Sequence, residues 1–319
     1  MSQIEMPQLK KKYKFKELKC YASTEWLIDN QKKYRQVFDK YEVSYIYAEL
    51  SFINKFYDEE DWSAKIDLKC FQAIENNQRT EICSLHFDRT IYKYDSVVYL
   101  REGWGSKQEG HFWKQGNYYW EVYINGEKEG TKYFYVVDAE LPITEEENPY
   151  FTLKSVRLYE GPYGDVPEDE RTYYTEFSGS ETQLIYLELF FDNLLFKYWQ
   201  CEVFVRIYNS SRELKGQIVR LLNVKKDDAT INITAGWGTN VKGNWKHGKY
   251  TYEVVFMDRL LAIVPFTVDE YFNEGFPSVY LNDPLIPFVF KEVDVEEETF
   301  EHIMSRIDKY IGLSQIKQS

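Results

Sequence analysis

Apolar and polar residues alternate with a period of two over several short stretches of this chain. From Ala64 to Phe71, Ile66, Leu68 and Cys70 are separated by Asp67 and Lys69, the pattern of a strand with one buried face and one wet face. Val43–Phe52 alternates less regularly and is rich in Tyr and Ile. Tyr118–Ile124 and Thr131–Val137 flank Asn125-Gly126, the pair that supplies the two positive-φ residues of a type I′ turn and so predicts a hairpin. Tyr250–Phe256 and Leu260–Val268 form a matching hairpin around Met257-Asp258-Arg259, with different turn residues. Helical spacing belongs to the C-terminal stretch. There Asp294 and Glu297 make a capping box, Phe300, Ile303, Met304, Ile307, Tyr310 and Ile311 recur on one face, and Gly312 stops the helix. A second helix is expected to open at Ser314. The stripe Phe300, Ile303, Ile307 and Ile311 is expected to dock, on the second half of the chain or on another copy, because isolated helices of this length are marginal in water.

The strand pattern occurs twice. Tyr34, Phe38, Glu42, Ile46, Tyr47, Glu49, Leu50, Phe52 and Asn54 recur 139 positions later, without a gap, as Tyr173, Phe177, Glu181, Ile185, Tyr186, Glu188, Leu189, Phe191 and Asn193. Ile66 and Leu68 correspond to Val203 and Val205, Gly103-Trp104-Gly105 to Gly236-Trp237-Gly238, and Leu18 with Tyr21 to Val156 with Tyr159. With one residue deleted, Gly110, Trp113, Lys114, Gly116, Tyr118, Glu121 and Val122 return as Gly243, Trp245, Lys246, Gly248, Tyr250, Glu253 and Val254. Two copies of a six- or seven-stranded sandwich follow, over residues 1–138 (with a basic N-terminal segment) and 150–290. They are joined by an acidic, turn-rich link at 139–149 and followed by the helical segment 291–319. Gly116-x-Tyr118 and Gly248-x-Tyr250 resemble the tyrosine corner of immunoglobulin-like sandwiches, although the cysteine pair of antibody domains is absent. The expected fold is all-β: two tandem immunoglobulin-like β-sandwiches from an internal duplication, with a C-terminal helix.

Aromatic residues make up 18% of the chain (28 Tyr, 21 Phe, 8 Trp), which suits pleated, half-buried surfaces. The net charge of −13 argues against a nucleic-acid partner, which would need a basic face. No apolar run reaches the ~18–20 residues of a membrane span. The first residues carry no apolar signal region, and Cys20, Cys70, Cys83 and Cys201 have no C-x-x-C spacing. Together these predict reduced thiols in a cytoplasmic protein with no membrane partner. The N-terminal lysines alternate with Tyr13 and Phe15, as in an edge strand guarded by charge.

Candidate chemistry is sparse. His86, His111, His247 and His302 accompany no catalytic motif, and no metal or cofactor signature is present. Glu49/Glu188 and Glu121/Glu253 recur and are of the residue type that works in pairs in glycoside hydrolysis, but their strand positions predict an outward face or cross-strand pairing. Asn209 and Asn232 sit in glycosylation sequons, which matter only on a secretory route. The recurring Trp104, Trp113, Trp237 and Trp245 are the candidate interaction residues. Exposed, they would stack on a sugar or anchor a protein; buried, they would close the ends of the sandwiches.

Ile307, Tyr310, Ile311, Gly312, Leu313, Ile316 and Lys317 resemble the lead-in to the ATPase module of the CbxX/SpoVK-like family of AAA+ proteins. Leu158-Tyr159-Glu160-Gly161, Val166-Pro167, Arg171 and Tyr173 resemble the second half of the paired-sandwich region that precedes that module in bacterial members. Gly-x-x-x-x-Gly-Lys-Ser/Thr occurs nowhere in the 319 residues, so the resemblance implies a P-loop beyond Ser319. It implies a non-catalytic module that recruits a protein partner or client to a ring ATPase, within a homo-oligomer. The alternative is a carbohydrate-binding or structural surface protein using the Trp loops.

Overall fold

The computed structural model describes residues 11–24, 32–144 and 147–269. The stripe Phe300, Ile303, Ile307 and Ile311, and the C-terminal helix it belongs to, lie outside the described residues. The described residues are all-β and divide into two compact units, Met1–Pro142 and Ile143–Ser319, at a boundary inside the expected link. The start of the second unit is held by Arg259, whose guanidinium donates to the carbonyls of Ile143 (3.1 Å) and Thr144 (3.2 Å).

The first unit contains β1 (Tyr13–Ser23), β2 (Val37–Asp39), β3 (Tyr45–Asn54), β4 (Trp62–Ala73), β5 (Arg79–Ile91), β6 (Val97–Gly105), β7 (Gly116–Ile124) and β8 (Glu127–Val137). They form a three-stranded sheet, β1-β3-β6, and a five-stranded sheet, β2-β8-β7-β4-β5. Every pairing is antiparallel except the short parallel one between β2 and β8. The second unit repeats this with β9 (Phe151–Gly161), β10 (Glu176–Ser178), β11 (Leu184–Asn193), β12 (Trp199–Asn209), β13 (Leu214–Val224), β14 (Thr230–Gly238), β15 (Gly248–Phe256) and β16 (Arg259–Asp269). Its sheets are β9-β11-β14 and β10-β16-β15-β12-β13, with β10 parallel to β16. The order is the same strand for strand.

The period-two pattern decides which face of each strand is covered. Leu50 and Phe52 of β3 share one buried cluster with Ile66, Leu68 and Cys70 of β4 and with Trp120 and Val122 of β7, so the two sheets meet over a common core. In the second unit the Phe151 and Phe256 rings lie 4.7 Å apart, and the buried Tyr252 hydroxyl crosses between the sheets to donate to the Ile185 carbonyl at 2.7 Å. Asn125 (φ 54°) and Gly126 (φ 84°) make the predicted turn. Met257 (φ 48°) and Asp258 (φ 62°) make the same turn without glycine, and Arg259 already belongs to the strand. Lysine-rich β1 is an edge strand, as its alternation predicts.

Two asparagines explain one of the sequence identities. Asn54 Oδ1 accepts from the Trp62 indole (3.0 Å) and the Phe56 amide (2.9 Å), while its amide donates to the Tyr92 carbonyl (3.2 Å). Asn193 repeats all three bonds with Trp199 (3.3 Å), Leu195 (3.1 Å) and the Asp228 carbonyl (2.8 Å). Each asparagine thus satisfies a buried indole and ties a strand end to the next crossover. Asn54→Ala should lower stability by about 2–4 kcal/mol, because it strands one indole and one amide donor in the core. Urea unfolding checks this, and a change within ±0.5 kcal/mol would refute it.

Candidate functional site

The four candidate tryptophans are not exposed anchors. Trp113 is 1% exposed and packs edge-on against Phe112, Tyr118 and Phe134 at 5.2–5.6 Å. Trp245 makes the equivalent cage with Tyr250 (5.5 Å) and Phe266 (6.1 Å), closed by Trp237 at 4.9 Å. Trp104, Trp237 and Trp245 are half-buried, and Trp104 lies against the core. Their loops are shaped by packing. A Cβ on Gly105 or Gly238 would sit 1.9 or 2.2 Å from a backbone carbonyl oxygen, and both glycines have positive φ. Within each cage the tyrosine hydroxyl donates to the carbonyl four residues back, Tyr118 to Lys114 (2.9 Å) and Tyr250 to Lys246 (2.8 Å). Burial pushes the Tyr118 hydroxyl up to about 12. Of the two readings of the recurring tryptophans, Trp113 takes the buried one: its ring is enclosed by the core it closes.

The strongest recurring constellation lies on the opposite, outer face of each three-stranded sheet. Tyr21 and Tyr47 stack at 5.0 Å and 9°, and Tyr34 meets Tyr21 edge-on at 5.9 Å. Tyr159, Tyr186 and Tyr173 repeat this at 5.0 Å and 6.1 Å. The stacked ring presses on glycine: a Cβ on Gly103 would come within 2.8 Å of the Tyr47 ring, and one on Gly236 within 2.3 Å of the Tyr186 ring. Tyr34 donates to Glu49 (2.7 Å) and Tyr173 to Glu188 (2.8 Å). Lys19 lies over the Tyr34 ring (4.8 Å) and Arg157 over the Tyr173 ring (5.0 Å).

The recurring glutamates are buried although they lie on the face turned away from the core, and Glu49 makes the expected cross-strand pair with Arg101, directly opposite it on β6. The Glu49 carboxylate takes Lys32 at 2.9 Å and Arg101 at 2.5 Å; Glu188 takes Arg171, which also reaches Asp165 at 3.3 Å. Arg171 and Tyr173, two of the residues that carry the AAA+ resemblance, belong to this network together with Tyr159, which donates to Asp165 at 2.6 Å. Burial works to raise the Glu49 carboxyl, but the Tyr34, Lys32 and Arg101 bonds outweigh it and hold the group below the usual carboxylate range. Glu121 is buried with Tyr123 (2.8 Å), Arg79 (3.3 Å) and Lys128, and again its partners overcome burial to lower it. Glu253 is buried with Arg212 at 2.5 Å. A carboxylate committed to two or three donors is poorly placed to shuttle protons, since ionisation is what its partners stabilise. No group of three or more His, Cys, Asp or Glu able to hold a metal ion occurs among the described residues. His86 bonds Asp67 at 2.6 Å and His111 its near neighbour's carbonyl at 2.8 Å, both on exposed surface.

One open groove of about 420 Å³ lies in the first unit between β5 and β6, lined by Asp88, Arg89, Thr90, Tyr92, Asp95 and Tyr99. Tyr92 and Tyr99 are each 43% exposed, and the Tyr92 ring is stacked on Tyr94 at 5.1 Å and 5°. Sequence reasoning missed it because no repeat marks these residues. The equivalent flank of the second unit is bridged by Arg220, whose Nε donates to the Thr234 carbonyl at 2.7 Å.

No family model and no curated protein matches the chain. Among solved structures it is similar to the Pseudomonas fluorescens alkylpurine DNA glycosylase AlkC bound to DNA containing an abasic site analog, at 12% identity over 39% of this chain and 30% of that one, with a TM-score of 0.26. It is also similar to red sea bream transglutaminase, at 9% identity over 83% of this chain and 32% of that one, with a TM-score of 0.28. The chain spans about a third of the length of either protein. Likeness at these scores carries no argument about its function.

The lowered Glu49 and Glu121 carboxyls set an acid limb. Their stabilisation is complete above the unfolded value near ~4.3 and is lost as pH falls through the lower folded values. Glu49→Gln should therefore be less stable at pH 7 and show a shallower fall in melting temperature below about pH 4. Parallel wild-type and variant melting profiles across that range would contradict the ion-pair reading.

Proposed function

We propose that this chain is a non-catalytic protein-interaction module of two immunoglobulin-like β-sandwiches that recruits a partner or client to an AAA+ ATPase. The immunoglobulin-like reading is supported by the short strand pairing parallel with the last strand and by the tyrosine hydroxyl bonded four residues back, in both units. The recruitment reading rests on the C-terminal lead-in motif. Its non-catalytic character is supported by the commitment of the recurring carboxylates to tyrosine, arginine and lysine partners.

The observation that carries the interaction reading is the outer edge of β13. Among the described residues β13 pairs only with β12, yet it exposes Leu214, Val219 and Leu221 along an 11-residue strand. Soluble proteins blunt such edges with bulges, proline or charge; Lys215, Arg220 and a bulge near the start of β13 do so only in part here, and the apolar positions between them leave a template for an added strand. An extended client segment would gain backbone hydrogen bonds from the edge and side-chain contacts from these three residues.

A second reading, saccharide binding, is favoured by the groove of the first unit. Half-exposed Tyr92 and Tyr99 offer stacking faces, and Asp88, Arg89 and Asp95 offer partners for hydroxyls.

Val219→Lys with Leu221→Lys should keep the circular dichroism of the parent but lose a protein that co-purifies with the tagged wild-type chain from its source cells. Identical co-purifying sets would contradict the edge reading. Tyr92→Ala with Tyr99→Ala, compared with wild type on a glycan array, tests the second reading; saccharide binding lost in this variant would favour it over the first.

A further inference from the structure

Three of the four cysteines, scattered in sequence, converge in the first unit. Cys20 of β1, Cys70 of β4 and Cys83 of β5 belong to one buried cluster. Cys70 and Cys83 are opposed partners on neighbouring antiparallel strands, so both side chains leave the same face of the sheet. Opposed residues in antiparallel pairs have Cα atoms ~4.5 or ~5.5 Å apart, and both spacings lie within the ~4.4–6.8 Å that a disulfide spans. The ladder slips just beyond this pair, between Cys70 and Phe71, which gives β5 room to shift locally. Cys201 in the second unit faces Leu222 instead.

We propose that Cys70 and Cys83 are a dithiol–disulfide pair, which a small oxidising disulfide such as glutathione disulfide closes into a cross-strand bridge between β4 and the edge strand β5. Cys83, on the edge strand and 7% exposed, reacts first. Its thiolate attacks one sulfur of glutathione disulfide, giving a mixed disulfide and expelling one glutathione thiolate, which takes up the proton Cys83 has lost. Cys70 then gives up its proton and attacks the Cys83 sulfur, expelling the second glutathione. Two protein thiols are oxidised by two electrons, and one glutathione disulfide is reduced to two glutathione molecules. Burial, and then the neighbouring Cys83 thiol, hold the Cys70 thiol above its usual range, which slows ring closure. β5 also supplies Asp88, Arg89 and Thr90 to the groove, so the bridge anchors one of its walls.

The test treats the full folded chain with glutathione disulfide, quenches with acid, alkylates after unfolding, and maps tryptic peptides without reduction. Cleavage after Arg79 places Cys70 and Cys83 in separate peptides. The expected result is a Cys70–Cys83 linked peptide pair lighter by two hydrogens than its separate parts, with two of the four thiols lost to alkylation and recovered on adding dithiothreitol. Cys83→Ser, or Cys83→Ala if the serine variant does not keep the parent near-ultraviolet circular dichroism, should keep Cys70 as a free thiol. A wild-type reaction that stops at glutathionylated Cys83, or that links Cys20 to either partner, overturns the proposal. So does a chain whose four thiols all survive concentrations that oxidise a small dithiol.

Discussion

The hydrogen bond from a tyrosine to a buried glutamate, Tyr34 to Glu49 and Tyr173 to Glu188, is the interaction on which each unit depends. A carboxylate removed from water is costly unless charged and hydroxyl donors surround it. Here Lys32 and Tyr34 in the first unit, and Arg171 and Tyr173 in the second, come from the segment that leaves the first strand, and Arg101 adds a donor from β6. Tyr34 bridges back to Tyr21 and Tyr173 to Tyr159, so the bond fixes that segment on the outer face of the three-stranded sheet. Three residues after each tyrosine the chain enters a short strand parallel to the last strand of the other sheet, starting at Val37 or Glu176. The buried bond thus sets the point at which the chain changes sheets, and the tyrosine stack and the glycine beneath it follow from the same close approach.

Much of this was legible in the sequence. The strand alternation, the Asn125-Gly126 turn, the lysine-guarded edge and the recurrence of Tyr34, Glu49 and Asn54 all have a place in the structure. What could not be read was which side of a strand a recurring polar residue serves. A period of two says that Glu49 and Leu50 face oppositely, but not that a loop covers the glutamate. The same limit applies to the tryptophans, whose recurrence marks end closure, and to Cys70 and Cys83, whose opposition depends on register. The edge strand β13 was missed because its exposed Leu214, Val219 and Leu221 break the alternation that marks a half-buried strand.

The units differ where they are not bound by this shared plan. The second closes the flank between its sheets with Arg220, while the first leaves a tyrosine-lined groove there. The second exposes apolar residues along β13, whereas the equivalent strand β5 carries Arg79, Glu81, Asp88 and Arg89. Packing preserves the common elements, and divergence is concentrated on the edges and flanks that a partner would meet.

The central claim is that the recurring glutamates build the fold. A double-mutant cycle on Tyr173→Phe and Glu188→Gln, read by urea unfolding, measures the bond directly. The account predicts a coupling of about 1–3 kcal/mol, as for a buried hydrogen bond to a charged group. Additive effects, with a coupling under about 0.3 kcal/mol, would contradict it.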